Sequence, residues 1–504
     1  MENNSKTKET SGFLGKVDSF FGVTERGSSI RTEIIAGIVT FLAMAYILTL
    51  NPNIILGSFG PISTRPVIWN SVFIATALGA VIGTVLMAFL AKMPLAQASG
   101  LGLNTMVNGL LSGSLIGFSI SYGASMLLVF ISGLLFLAMS ILKLQGKSLR
   151  EMIFDSIPIQ VRSAISVGIG LFIAFIGLWL AGIIIDPRSV NPYDTNPLDL
   201  VNFASWNKAT LAGPIVCIVG FAVIAILAHF KIKAAVILGI LVATLVGIPL
   251  GITEWSGESW AFWEHFERFF ASNAEGGTFF SAFTDVNFNG APIISCVIVV
   301  IVFCMIDMFD TMGTVVGCCA PVGLVDNTGK PLSYNGIMKS DSIATCAGAL
   351  LGTSTVTTFV ESGSGVAAGG RTGLTALTTA ILFFLSIFLL PVFASIPGPA
   401  VDAALIYVGC LMLKGAKDIK IESVKDFVPA FLTIAMMPLA YSITDGIGLG
   451  ILSYFGISLV EYIVKAVKYS FTKKQEDKPV WEMSIILVII AVLFLIYFLV
   501  PTTF

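Results

Sequence analysis

Long apolar segments recur along the whole chain and determine its predicted architecture. Each is about 20 residues long, enough to cross the ~30 Å hydrocarbon core of a bilayer as a helix. The segments lie at residues 34–56, 68–91, 96–112, 118–142, 161–185, 211–230, 234–252, 291–320, 339–355, 357–370, 373–396, 399–415, 427–443, 446–467 and 481–500. With some of them counted as half-spans or re-entrant pieces, the pattern predicts an all-α polytopic membrane protein with about 14 transmembrane segments.

Two of these segments, 96–112 and 357–370, are short and rich in glycine and small polar residues, unlike a lipid-exposed helix. Both contain Ser-Gly-x-Gly followed by an apolar residue, at 99–102 and 362–365. Each is the third apolar stretch of its half of the chain. A pair of glycine-interrupted short segments, one in each half, indicates an inverted-repeat transporter with its site at the bilayer midplane.

Positive charges predict which ends of the segments face the cytoplasm. Clusters of lysine and arginine follow three of the segments, at residues 143–150, 231–233 and 414–425. The first 30 residues are polar, contain lysine and arginine, and lack the apolar core of a signal peptide, so a cytoplasmic N-terminus is predicted. The loops at 186–210 and 253–290 contain few lysines and are predicted to be external. Within the second loop, residues 255–271 are either an amphipathic helix at the membrane interface or a loop packed over the protein.

Composition excludes a soluble globular chain. Of the 504 residues, 56% are hydrophobic and only 12% are charged, whereas a soluble domain has about 25% charged residues. The mean hydropathy is +0.93. The net charge of −2 includes no long basic block, so nothing favours a nucleic-acid partner.

The sequence contains no motif of an enzyme or of an ATP-driven pump. It has no P-loop with Gly-Lys-Ser/Thr, no HExxH motif and no Ser/His/Asp set. The seven cysteines lie in or beside apolar segments without metal-ligand spacing, and there are only two histidines. We therefore expect neither an enzyme nor a bound metal or cofactor, which leaves a secondary transporter driven by a gradient.

Acidic residues inside otherwise neutral segments are the strongest candidates for a site. Asp307 and Asp310 lie in the segment IVVIVFCMIDMFDTMGTVVG, and Glu361 lies in TSTVTTFVESGSGVAAGG. A charge at the centre of a membrane helix costs at least ~2.5–3.5 kcal/mol, so such residues face a cavity or a partner. Asp402 and Arg371 lie at predicted membrane ends and are expected at the interface, and Asp445 is expected at a turn between two segments.

Asp307 and Asp310 are three residues apart and are predicted to share one helical face. Two neighbouring carboxylates at low dielectric do not both ionise readily, so such a pair can take up and release a proton. The alternative is that one of them caps a broken helix or bonds a neighbouring serine or threonine.

Glu361 precedes glycines that let the backbone approach a ligand closely. Its carboxylate can accept hydrogen bonds from a ring N–H or an amino group, and the alternative is a buried glutamate satisfied only by protein. Asn104, in the first short segment, offers both a donor and an acceptor, and its alternative is helix packing.

Several stretches resemble the AzgA-like purine permeases of the nucleobase cation symporter 2 group. The matching sequences are TEIIAGIVTFLAMAYILTLNP (32–52), SGLGLNT (99–105), VGIGLFIAFIGLWLAGII (167–184), MFDTMGTVVG (308–317), ALLGTSTVTTFVESGSGVAAGGRTGLTA (349–376) and PAFLTIAMMPLAYSITDGIGLGILSY (429–454). The resemblance extends from about residue 20 to residue 467.

The resemblance implies two inverted seven-span repeats in the uracil-transporter-like fold, with short strand and half-helix segments at the midplane. A core domain, formed by the first four spans of each repeat, would move against a gate domain in an elevator-type cycle. The implied divisions are a cytoplasmic tail (1–30), the first-repeat core (31–145) and gate with its external loop (146–290), and the second-repeat core (291–396) and gate with a C-terminal helix (397–504).

The resemblance also implies a function and a site. The function is proton-coupled uptake of hypoxanthine, guanine or adenine across the plasma membrane. The partners implied are the purine base, protons and the lipid bilayer, and a homodimer is one alternative for the assembly. The implied substrate-binding residues are Glu361, Asp310, Asn104, Ser362, Gly363, Phe359 and Thr358. The implied proton-coupling residues are Asp310, Asp307 and Glu361, with the division of roles between the two aspartates left open.

Two departures from the family pattern bear on substrate choice. Ser99 replaces the expected proline before the first short helix, and Gly363 and Ser364 stand where two alanines are usual. The same fold carrying uracil, xanthine or an anion is therefore an alternative, although an acidic site would repel an anion. An ion channel is disfavoured because the intramembrane acids lie in only one half of the chain, whereas channels repeat a charged ring by symmetry.

Overall fold

The computed structural model describes residues 13–57, 66–144, 147–185, 211–232, 234–319, 322–325, 331–419, 422–472, 479–481 and 483–499. Residues 1–12 of the predicted cytoplasmic tail and the whole predicted external loop at 186–210 lie outside these residues. Within the described part, 9 helical stretches are long and apolar enough to cross a membrane, and two shorter apolar helices accompany them. The predicted all-α, polytopic fold class is confirmed.

The elements follow one another in this order: α1 (Phe13–Phe21), α2 (Ile30–Met44), α3 (Ile47–Leu56), α4 (Trp69–Leu86, continued by a π-turn at Met87–Ala91), β1 (Gln97–Ser99), α5 (Leu101–Ser112), α6 (Tyr122–Ile141), β2 (Lys143–Leu144), β3 (Lys147–Ser148), α7 (Leu149–Ser156), α8 (Ile159–Leu180), α9 (Ala212–His229), α10 (Ala235–Gly247), α11 (Phe262–Phe269), α12 (Ser281–Thr284), α13 (Ile293–Cys319), α14 (Tyr334–Leu351), β4 (Val356–Thr358), α15 (Ser362–Ala367), α16 (Gly373–Ser386), α17 (Leu390–Ala394), α18 (Gly398–Met412), α19 (Val424–Leu439), α20 (Ile443–Thr472) and α21 (Ile485–Leu499). Short 3₁₀ turns lie at Asn273–Glu275, Ile387–Leu389 and Leu413–Asp418.

The two short glycine-rich segments differ from the other apolar segments, as predicted. Each begins with a three-residue strand, β1 or β4, and continues as a helix, α5 or α15. Residues 255–271, predicted as either an amphipathic helix or a loop packed over the protein, contain a short helix that packs on the protein. Only α11 is helical there; its His265 and Phe269 are buried, it packs on α4, and Trp263 is 76% exposed.

The helices form two groups, each built from both halves of the chain. In the first group, α2–α6 pack with α13–α17, through contacts of α16 with α2 and α4 and of α14 with α4 and α6. In the second group, α8–α10 pack with α18–α20, and α8 contacts both α18 and α19. Each group therefore combines helices from the first and the second half of the chain.

Small residues allow the closest helix contacts in the second group. Gly409 of α18 faces α8, and a Cβ atom built on it would lie 2.6 Å from Cβ of Ala174. In a membrane, where helix association depends on close van der Waals packing, such glycines set the distance between helix axes. A larger side chain at Gly409 must separate α8 from α18.

We predict that Gly409→Val lowers the thermal unfolding temperature of the detergent-purified protein, since overpacking costs typically ~1–3 kcal/mol. The matched control is Gly456→Val in α20, because no heavy atom lies within 4 Å of a Cβ built at that glycine. Equal unfolding temperatures for the two variants would contradict the packing described here.

Candidate functional site

The two short strands meet in the interior of the first helix group. β1 and β4 pair antiparallel, with Gln97 opposite Thr358. The pairing extends beyond the strands, because the Gly100 N–H donates to the Thr355 carbonyl at 2.9 Å. β-Branched residues favour the extended conformation in β4, and Gly352 with its φ of +84° ends α14 before it. Two helices, α5 and α15, therefore start from one buried strand pair.

Glu361 lies between β4 and α15 and is 5% exposed. Its Oε1 accepts a hydrogen bond of 2.6 Å from the hydroxyl of Tyr46, which is buried at the break between α2 and α3. Ser362, the next residue, accepts from the Ala96 N–H at 3.0 Å and so ties α15 to the start of β1. The carboxylate is thus fixed from one side by a phenol on another helix.

Asn104 lies in the first turn of α5 and is fully buried. Its Oδ1 accepts from the Ser99 hydroxyl at 3.0 Å, whereas its Nδ2 has no hydrogen-bond partner within the described residues. The buried hydroxyl of Thr355 is likewise without a partner there, and it lies 3.3 Å from a Cβ built on Gly100. Buried polar groups normally have partners, so these two atoms can bond a ligand.

The two aspartates of α13 have different surroundings. Oδ2 of Asp307 accepts a hydrogen bond of 2.9 Å from the Thr345 hydroxyl on α14, and Asp307 is 1% exposed. Asp310 is partly exposed and interacts electrostatically with Glu361. The structure therefore brings Asp310 towards Glu361, whereas Asp307 faces α14.

The remaining predicted site residues contribute mainly through the backbone or through protein contacts. Phe359 is 6% exposed, and its N–H donates to the Ala96 carbonyl at 3.0 Å. The hydroxyl of Thr358 lies 3.5 Å from Oδ1 of Asp341. Gly363 faces α13, where a Cβ built on it would lie 3.5 Å from the Cys318 sulfur.

Asp341 is an intramembrane acid that sequence reasoning missed. It is fully buried on α14, accepts from Gln97 Nε2 at 3.0 Å through Oδ1, and accepts from the Thr311 hydroxyl through Oδ2. Thr311 in turn lies 2.7 Å from the Thr357 hydroxyl. One carboxylate therefore links α14 and α13 to both strands. Its position inside the apolar segment 339–355 was the signal that could have identified it.

Glu33 was also missed, because it lies just before the first apolar segment. It is fully buried on α2 and accepts from the Arg371 N–H at 2.9 Å and the Thr375 hydroxyl at 2.6 Å. Thr372 adds its N–H at 3.2 Å and its hydroxyl at 3.0 Å. Because protein donors surround this carboxylate, it joins α2 to the start of α16.

Asp402, which was expected at the membrane interface, is buried inside the protein. Asp402 is 1% exposed, and neither of its carboxylate oxygens has a hydrogen-bond partner within the described residues. The reason is the packing of α18, which begins at Gly398 and lies against α8, α9 and α10. Asp445, in contrast, lies in the first turn of α20 where α19 and α20 are joined, as predicted.

We predict that Asp341→Ala lowers the unfolding temperature in detergent, because each buried donor left without an acceptor costs about 1–3 kcal/mol. The matched control is Ser342→Ala, whose buried hydroxyl donates within its own helix to the Met338 carbonyl at 3.0 Å. If both variants unfolded at the wild-type temperature, Asp341 would not hold the strands.

The structure offers no cluster of three or more His, Cys, Asp or Glu side chains for a metal ion among the residues it describes. What it does offer is a paired-strand site with a carboxylate, an amide and a hydroxyl at the origins of two helices. Such a site is typical of transporters that bind substrate between discontinuous helices.

Comparison with known proteins identifies the family. The permease family model Xan_ur_permease matches residues 31–449. The adenine permease AdeP of Escherichia coli is 35% identical over 90% of this chain and 92% of that permease. The guanine/hypoxanthine permease PbuG of Bacillus subtilis is 36% identical over 86% of this chain and 92% of that permease.

Solved structures share the fold at low sequence identity. The transmembrane domain of the cyanobacterial bicarbonate transporter BicA superposes with a TM-score of 0.56, at 16% identity, over 83% of this chain and 96% of that chain. The murine Solute Carrier 26 family member A9 anion transporter in its inward-facing state gives 0.52, at 12% identity, over 90% of this chain and 74% of that chain. These likenesses concern the fold alone. The family match and the relatives show that the chain belongs to the Xan_ur_permease family and is a multi-pass membrane transporter, related to purine permeases as its motifs predicted.

Proposed function

We propose that this protein takes up purine nucleobases (hypoxanthine, guanine or adenine) across the plasma membrane by proton symport. The observation that carries the proposal is the position of Glu361 and Asn104 at the origins of the two helices that start from the strand pair. Relatives named as adenine permeases and as guanine/hypoxanthine permeases support the choice of substrate. The proposed orientation has a cytoplasmic N-terminus, and a homodimer is compatible with it.

The base would lie between the two half-helices. Glu361 accepts hydrogen bonds from its ring N–H groups, while the Tyr46 hydroxyl keeps the carboxylate oriented. Nδ2 of Asn104, which has no partner within the described residues, donates to a ring nitrogen or a carbonyl of the base. A purine presents both kinds of group on one edge, so the donor and acceptor sets are complementary.

Proton coupling would rest on the proximity of Asp310 to Glu361. Two carboxylates that interact at low dielectric titrate as a pair, so a proton bound by one changes the charge available to the other. We propose Asp310 as the residue that carries the coupled proton, with Asp307 as the alternative. The site side chains all lie in the first helix group, which suits an elevator-type movement of that group against the second.

Two alternatives keep the fold and change the cargo. Uracil or xanthine would also present N–H and carbonyl groups to Glu361 and Asn104. An anion is disfavoured, because two neighbouring carboxylates repel it. The likeness to bicarbonate and anion transporters concerns the fold and carries no argument for their substrates.

We predict that cells lacking their own purine permeases accumulate labelled adenine, guanine or hypoxanthine when they produce this protein. Glu361→Gln should abolish uptake at normal membrane expression, because the amide replaces one acceptor oxygen with a donor. The matched control is Glu264→Gln on the exposed side of α11, which should transport normally.

Failure of the wild-type protein to accumulate any of the three bases would refute the purine assignment. Near-normal uptake by Glu361→Gln would leave the purine assignment intact and remove the proposed role of Glu361.

We further predict that collapsing the proton gradient abolishes net accumulation of the base. Asp310→Asn should lose gradient-driven accumulation but retain exchange of external for internal labelled base, since exchange requires no net proton movement. Asp307→Asn, measured in parallel, should retain both activities. Accumulation that persists without a proton gradient would contradict symport, and the opposite result for the two variants would assign coupling to Asp307.

A further inference from the structure

A cavity distinct from the strand-pair site lies between the two helix groups. It has a volume of about 270 Å³ and is lined by α5 on one side and by α8 and the α19–α20 junction on the other. This volume is slightly below the roughly 300–1,000 Å³ typical of small-molecule sites. The lining side chains used below are Thr105, Asn108, Phe172, Tyr441, Ile443 and Asp445.

The cavity adjoins the site described above through α5. Asn104 and Asn108 are four residues apart, so they lie on one face of α5 a single turn from each other. Asn104 belongs to the strand-pair site, whereas Asn108 lines the cavity. Ile443 of α20 packs against the start of α5, since a Cβ built on Gly102 would lie 2.7 Å from Cδ1 of Ile443.

The cavity has an aromatic wall with an accessible ring. Tyr441 is 56% exposed, and its ring packs edge-on against Phe172 at a centroid distance of 5.5 Å. The backbone of Tyr441 has a φ of +52°, a left-handed conformation that is unfavourable for a bulky residue. Such strain persists where surrounding structure fixes it and is concentrated at ligand-binding positions.

Polar groups flank this ring. Asp445 supplies a carboxylate in the first turn of α20, and its backbone N–H donates to the Ser442 hydroxyl at 3.2 Å. Nδ2 of Asn108 donates to the Ile55 carbonyl at 3.1 Å, which fixes the orientation of its amide. A flat aromatic ring with an acidic acceptor beside it is complementary to a planar heteroaromatic molecule that has N–H donors.

We propose that this cavity is a second binding site, an entry subsite that holds a purine base before it reaches the strand pair. The base lies against the Tyr441 ring and donates an N–H to the Asp445 carboxylate. The inference rests on the proposed function for the identity of the ligand. Because both helix groups line the cavity, occupation of this subsite depends on their relative position.

Thiol protection tests the subsite directly. Ser114→Cys places a reactive thiol on the exposed lining of the cavity, and Ser119→Cys places a matched exposed thiol outside it. Both are made with the seven native cysteines replaced, and in the Glu361→Gln background so that the strand-pair site is disabled. Adenine or hypoxanthine at twice its Kd should slow maleimide labelling of the first thiol about threefold, by the factor 1 + [L]/Kd, and leave the second unchanged.

The added change Tyr441→Leu should abolish this protection. If the base does not slow labelling of the first thiol in the Glu361→Gln background, the cavity does not bind the base by itself, and the subsite is overturned. Equal slowing at both thiols would overturn it as well, because it would reflect a general change of conformation.

Transport kinetics give a second, independent measurement. With otherwise native protein, Asp445→Asn should raise the KM for uptake by about ten- to a hundredfold, as expected for loss of one hydrogen bond to a charged group, with Vmax within about twofold of wild type. An unchanged KM in both Asp445→Asn and Tyr441→Leu would refute the subsite. If wild-type protein accumulates purines in the same assay, that result refutes the subsite alone; if it accumulates none, the proposed function fails with it.

Discussion

Backbone hydrogen bonding in a dry interior is the constraint on which this structure depends. A chain that leaves its helix within the hydrocarbon region must satisfy every N–H and C=O by some other pairing. Here β1 and β4 pair with each other, and the pairing continues from the Phe359 N–H to the Ala96 carbonyl and from the Gly100 N–H to the Thr355 carbonyl. Because both strands are satisfied, two helices can begin in the middle of the protein.

The strand pair is itself held by side chains from the helices behind it. Asp341 bonds Gln97 of β1 and, through Thr311, reaches Thr357 of β4. The Thr345 hydroxyl contacts both Asp307 and the Val356 carbonyl. Removal of one partner in such a network leaves the others unsatisfied, so its members act as a unit. The strands are therefore fixed relative to α13 and α14, and so are the starts of α5 and α15, which follow the strands.

Sequence patterns were sufficient for the polytopic all-α class, for the two short segments and for the burial of Glu361, because each of these is a local property. Hydropathy windows locate apolar helices, and glycine within a short window marks an interrupted one. The hydrogen bonds around the strand pair could not be predicted from such patterns, because they join residues that are far apart in the sequence. Tyr46 and Glu361 are separated by 315 positions, and Gln97 and Asp341 by 244. Asp402 illustrates the same limit, because its burial depends on helices from both halves of the chain.

The intramembrane acids differ in how fully the protein satisfies them, and this difference separates scaffold from site. Glu33 accepts hydrogen bonds from Arg371, Thr372 and Thr375. Asp341 accepts hydrogen bonds from Gln97 on β1 and from Thr311 on α13. A carboxylate saturated by protein donors has no lone pairs left for a ligand and would lose several bonds on protonation. Glu361, with its bond from Tyr46 and its interaction with Asp310, has capacity for further donors. Among the acids around the strand pair, the distribution of donors, more than the presence of a charge, therefore decides which acid can exchange a proton or bind a base.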